Sequence, residues 1–150
     1  MEGRIVTLSV EIVEAASHEV VDALNRLLPQ LSSTATVLTL TELRDLVDSN
    51  STTLFVARNE GKLVGTLTLV VFRIPTGLRG WVEDVVVDEA ARGTGVGEVL
   101  TLAAIEEARR RGVRSIDLTT RPTRDAANRL YSRLGFERRE TNVYRFSLDD

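Results

Sequence analysis

The 150-residue sequence has no cysteine, which excludes disulfides, thiolate metal sites and a cysteine nucleophile. It has one histidine, His18, beside Glu19 at what reads as a helix start. That leaves zinc hydrolysis almost no ligands, and no metal is expected. The N-terminus lacks a long apolar run, so neither a signal peptide nor a membrane span is expected, and a cytoplasmic protein is the default. An excess of one charge is also missing. Nineteen basic residues stand against 22 acidic ones, for a formal net charge of -3. This gives no general pull toward nucleic acid or an anionic membrane. There are no internal repeats, no long linker and no low-complexity tract.

What is present suits one folded unit. Hydrophobic residues make up 43% and charged residues 27%, an ordinary balance, and the length is enough for a real core. A single domain over 1–150 is expected. The chain is organised around residues 81–111, WVEDVVVDEAARGTGVGEVLTLAAIEEARRR. Val85, Val86 and Val87 form a β-branched run that favours a strand. Asp88 and Glu89 end it. Arg92, Gly93, Thr94, Gly95, Val96 and Gly97 then lead into a helix with apolar residues at 96, 99, 100, 103 and 104. Arg109 to Arg111 suit the negative end of its dipole, and Gly112 suits its C-terminal cap.

Glycines at a helix start let an anion approach first-turn N–H groups that lack helical partners. The loop therefore reads as a phosphate or pyrophosphate cradle, against the architectural reading that glycines only allow tight helix-on-strand packing. It is not a P-loop, because Val96-Gly97-Glu98 stands where Gly-Lys-Ser/Thr would be needed. It is not a dinucleotide-binding turn either, since only Val96 separates Gly95 from Gly97 and the loop falls late in the chain.

The remaining elements follow from periodicity and turn chemistry. Residues 5–15 alternate as a strand. Ser17 caps a helix with Val20, Val21, Leu24, Leu27 and Leu28 on its apolar face. Residues 29–39 read as a loop, and Thr41 as the cap of a short helix with Leu43, Leu46 and Val47 inward. Strands are expected at 52–58 and 62–73 around an Asn59-Glu60-Gly61 turn, then a second turn at 75–80. A strand at 115–119, a helix carrying Ala127, Leu130, Tyr131 and Leu134 and closed by Gly135, and a final hairpin over 136–148 complete the order. Hairpin-linked strands should be antiparallel, and the pair joined through the glycine-loop helix parallel. The expected class is α/β, a mixed sheet with helices on both faces.

Two blocks carry a resemblance. Arg92-x-x-Gly95-x-Gly97 is similar to the R/Q-x-x-G-x-G/A loop of the GNAT superfamily of acetyl-CoA-dependent N-acetyltransferases. Asn128 to Phe136, NRLYSRLGF, resembles that family's second block with its tyrosine in place. The order and separation of the blocks also fit. The resemblance covers about 81–146 and implies the GNAT acyl-CoA N-acyltransferase fold, with the pantetheine arm lying between two splayed strands.

It also implies the roles. Acetyl-CoA would place its pyrophosphate on Arg92, Gly93, Thr94, Gly95, Val96 and Gly97. Its arm would pair with the backbone of Val85, Val86 and Val87 like an added strand, where an N–H polarises the thioester carbonyl. A carboxylate would take a proton from the amine, and Glu83 is preferred over Asp84. Strict alternation would turn these two to opposite sides. Tyr131 resembles the family's general acid, a phenol able to protonate the leaving thiolate, and Asn128 its contact to the cofactor arm. Glu98 is expected to point to solvent, since facing inward it would repel a pyrophosphate. The acceptor is a primary amine of open identity, and a homodimer is possible. A non-catalytic acyl-CoA-binding regulator and an architectural, partner-binding domain are the competing readings.

Overall fold

A computed structural model describes residues 7–149. They fall into two compact units, 7–119 and 120–149. Ile5 and Val6 of the expected first strand lie outside the described residues.

The first unit is built on a five-stranded sheet in the order β1-β2-β3-β4-β5. Its strands are β1 (Leu8–Ile12), β2 (Thr52–Asn59), β3 (Lys62–Ile74), β4 (Gly77–Val87) and β5 (Ile116–Asp117). The first four are antiparallel neighbours, and β5 pairs parallel to β4 as expected. Both faces are covered. Helices α1 (His18–Leu31) and α2 (Leu40–Asp48) bury Val20, Val21, Leu24 and Leu43 against Leu54, Val56 and Leu63. Helix α3 (Val96–Arg110) buries Val96, Leu100, Ala104 and Ala108 against Phe55, Ala57, Leu67, Leu69 and Val82 on the other face. Arg58 ties β1, α1 and the β2–β3 turn together by pairing with Glu11 and Glu19 at 2.7 Å each and donating to the Gly61 carbonyl.

Several boundaries differ from the sequence reading, each for a local reason. Helix α1 runs through Pro29 to Leu31, because a proline in the last turn removes one helical bond while Leu24 and Leu27 behind it are buried. The cap of α2 is Thr39 rather than Thr41. Thr39 and Glu42 form a reciprocal capping box, a T-x-x-E pair legible in the sequence. Strand β4 starts at Gly77, four residues earlier than expected, because the β3–β4 hairpin closes tightly with Ile74 opposite Gly77.

The second unit contains α4 (Asp125–Leu134), closed by Gly135 at φ 104°. The expected hairpin over 136–148 is not formed, and residues 136–149 carry no strand. Period-two alternation is present in Tyr144, Phe146 and Leu148, but these side chains are 88–89% exposed. Alternation supplies a face, and a strand also needs a neighbour to pair with.

Candidate active site

The strand that the sequence places at the centre of the chemistry is not regular. Thr66 pairs with Val86, and Thr68 pairs with Glu83. Two steps on β3 therefore face three on β4, which is a β-bulge. The extra residue is accommodated at Asp84, whose φ is 51°. The bulge resets the alternation. Val82 packs on the α3 side, and the next residues to do so are Val85 and Val87, a step of three. Glu83 and Asp84 are both exposed, and the bulge removes the strict alternation on which their expected separation rested. Glu83 accepts a hydrogen bond from Trp81 Nε1 at 2.5 Å. Asp84 has its carboxyl pushed above the usual range, first by partial burial and then by the negative charge of Glu83.

Beyond Trp81, β4 has no neighbour on its β5 side within the unit. The two strands pair only at Gly80–Ile116 and Trp81–Asp117. The backbone edge from Val82 through Val87 is thereby open to an added strand. The side chains of Val85 and Val87 are half-buried and that of Val86 is buried, so only the backbone of these three valines is offered.

The edge leads into the glycine loop. Asp88 caps a 3₁₀ turn (Glu89–Ala91), and Arg92 ends it. Gly93 and Gly95 then adopt left-handed backbones, φ 81° and 91°. A Cβ built on either meets nothing within 4 Å, so the space over the loop is open. Gly95 is also the N-cap of α3, and no cap side chain accepts from the first turn. A carboxylate or hydroxyl there would compete with a ligand phosphate for the same N–H groups. Thr94 Oγ1 donates to the Ala91 carbonyl, which ties the loop back on itself. Arg92 is exposed, with Glu89 Oε1 at 3.9 Å. Val96 is buried against the sheet, and Gly97 follows it in the first turn. Glu98 is half-buried, not turned wholly to solvent as expected.

Three residues that sequence reasoning passed over hold this loop in place. Arg26 on α1 pairs with Asp88 and donates to the Leu63 carbonyl at 2.6 Å. Gln30, one turn on, accepts from Glu89 N at 3.0 Å. Burial would raise the Asp88 carboxyl, but the Ala90 N–H, the Arg26 guanidinium and Gln30 together hold it below the usual range. Gly65 lies on β3 where a Cβ would come within 2.7 Å of Val96 Cγ1 and 3.1 Å of Leu100 Cδ1. That glycine lets α3 sit close on the sheet. A glycine inside a strand otherwise made of large side chains is the available signal for such an approach.

Tyr131 and Asn128 share α4 in the second unit. Tyr131 is half-buried, edge-to-face with Phe136 at 5.6 Å between ring centroids. Burial pushes its phenol up against the opposing charge of Arg124, so the hydroxyl keeps its proton. Asn128 Nδ2 donates to the carbonyls of Arg121 and Arg124, at 2.9 and 2.7 Å. Among the described residues no group of three or more His, Asp or Glu side chains could hold a metal, and no helix is long and apolar enough to cross a membrane.

The bulged strand β4, unpaired by β5 beyond Trp81, thus runs into an uncapped glycine loop at a helix start. The acetyltransferase (GNAT) family model matches residues 18–136. The chain belongs to that family. It is 38% identical over 90 residues to a mycothiol acetyltransferase of Thermomonospora curvata, covering 60% of this chain and 29% of that protein. The chain thus spans less than a third of that relative's length. Among solved structures it is similar to a transcriptional regulator from Bacillus halodurans, with a TM-score of 0.78, 28% identity, and 93% and 100% of the two chains covered. It is also similar to an aminoglycoside N-acetyltransferase solved in complex with CoA, with a TM-score of 0.81 and 99% and 100% covered. At 17% identity, that likeness speaks for the fold alone.

Proposed function

We propose that this chain is a single catalytic domain that transfers the acetyl group of acetyl-CoA to a primary amine by direct attack. The observation that carries this reading is the loop of Gly93 and Gly95. Its left-handed backbone, open space and uncapped helix start suit a pyrophosphate, and it adjoins the unpaired β4 edge. Acetyl-CoA is the acyl donor. Arg92 to Gly97 hold its pyrophosphate, the backbone of Val85, Val86 and Val87 pairs with its arm, and Asn128 contributes to the same arm.

The chemistry follows from what aminolysis of a thioester needs. The amine nitrogen attacks the carbonyl carbon, and the developing oxyanion is met by a β4 N–H. The C–S bond breaks as the C–N bond is made. The proton lost by the amine passes to a carboxylate of the Glu83–Asp84 pair, and Tyr131 donates its phenolic proton to the departing thiolate. The products are the acetamide and free CoA. The likeness to a mycothiol acetyltransferase makes that enzyme's acceptor the first amine to test.

The test is release of free CoA thiol over an amine panel, with Tyr131→Phe beside the parent. The variant should lose on the order of a hundredfold in kcat while KM for acetyl-CoA holds. A second reading, an acyl-CoA-binding regulator without turnover, is favoured by the likeness to the Bacillus halodurans regulator. It predicts CoA binding, no thiol release with any amine, and no effect of Tyr131→Phe.

A further inference from the structure

The bulge distinguishes two adjacent carboxylates, of which the sequence alone favours Glu83 as the base. Glu83 still sits in register opposite Thr68, and its carboxylate is tied to the Trp81 indole. Asp84 is the inserted residue, held at φ 51° in the middle of a strand. A non-glycine residue in the left-handed region costs free energy and persists only where its surroundings hold it. Glu60, the other non-glycine residue with such a backbone among those described, lies in the β2–β3 turn, where the geometry requires it. No turn requires it at Asp84. Asp84 is exposed on the stretch of β4 that follows the last pair with β5, Trp81–Asp117.

We propose that Asp84 is the group that takes the proton from the attacking amine, and that Glu83, fixed by Trp81, positions the acceptor's ammonium through charge. This rests on the acetyl-transfer reading above. The acceptor arrives as an ammonium. One N–H bond breaks, its electron pair stays on nitrogen for the attack, and that proton goes to the Asp84 carboxylate. A second N–H proton leaves after the C–N bond has formed and restores the phenol of Tyr131, whose own proton has gone to the thiolate, so one proton is released overall. Asp84 is the better recipient because, at its strained position, partial burial and then the charge of Glu83 hold its carboxyl above the usual range, while Glu83 already accepts a hydrogen bond from the Trp81 indole.

The experiment uses the whole chain, acetyl-CoA and whichever amine of the panel the parent turns over. Asp84→Asn should lower kcat on the order of a hundredfold with both KM values held within about threefold. Glu83→Gln should raise the amine KM, with kcat within about threefold. Asp84→Gly, which fits the left-handed backbone and leaves space, should regain turnover with added formate. A merely structural aspartate would not respond to formate. The assignment is overturned if Glu83→Gln takes the kcat loss, or if Asp84→Asn turns over like the parent. An acetyl-CoA-induced rise in Tm in every variant shows that the fold and cradle are intact. If the parent itself releases no CoA with any amine, the transfer reading falls, and the role of Asp84 with it.

Discussion

Two residues with left-handed backbones have opposite meanings for stability. Glu60 and Gly61, at φ 51° and 81°, form the tight turn that matches the twist of a two-residue hairpin. Asparagine tolerates the first position better than glutamate, so Glu60→Asn should raise stability by roughly 0.5 kcal/mol with no change in activity. Asp84 has the same backbone in a strand. Replacing it with glycine removes the steric strain and a carboxylate held beside Glu83, so Asp84→Gly should melt a few degrees higher while losing turnover. A thermal melt beside an activity assay checks both variants. The turn was legible in the sequence because Asn59-Glu60-Gly61 is a local signal. The strain at Asp84 was not, because a bulge is decided by pairing between Thr66–Thr68 and Glu83–Val86, which no window of one strand contains.

Elements position the loop, and two of them can be loosened separately. Alanine at Gly65 brings a methyl to 2.7 Å from Val96 Cγ1. Overpacking of this kind costs about 1–3 kcal/mol. It also pushes the start of α3 off the sheet, so Gly65→Ala should raise KM for acetyl-CoA more than it changes kcat. Arg26→Ala removes the partner of Asp88 and the donor to Leu63 O from outside the loop, with the same expected direction in KM. Asp88 gives this strut a pH dependence. Its carboxyl is held below the unfolded value, so its contribution is complete above about pH 4 and is lost as pH falls through the folded pKa. Acid melts of Arg26→Ala should therefore fall less steeply than those of the parent below that point. The helices and strands were legible because each has its own period or cap, as in the T-x-x-E box of α2. The strut was not, since Arg26 and Asp88 are 62 residues apart and neither stands in a motif.

At the scale of the molecule, the site reading rests on one thermodynamic claim, that an acyl-CoA binds the folded chain and not the unfolded one. The glycine loop was recognisable because its chemistry is local: glycines, a helix start and a strand before it. The antiparallel pairing of β2, β3 and β4 and the parallel pairing of β5 with β4 were recognisable because hairpins and one crossover leave few alternatives. The last hairpin was misread because Tyr144, Phe146 and Leu148 have the alternation of a strand without a pairing neighbour. Binding of acetyl-CoA at about a hundred times its Kd adds roughly 2.7 kcal/mol of stability. For a chain of this length that corresponds to a rise of about 5–10 °C in Tm. CoA should give a rise of similar size, because the pyrophosphate and arm carry the binding. ATP and NAD should give none, since neither has an arm for the β4 edge. Equal rises with ATP and CoA would mean that the loop binds phosphate alone and that Val85 to Val87 contribute nothing. No rise with either CoA species in a well-folded sample would make Gly93 and Gly95 architectural, and would remove the transferase and the sensor together.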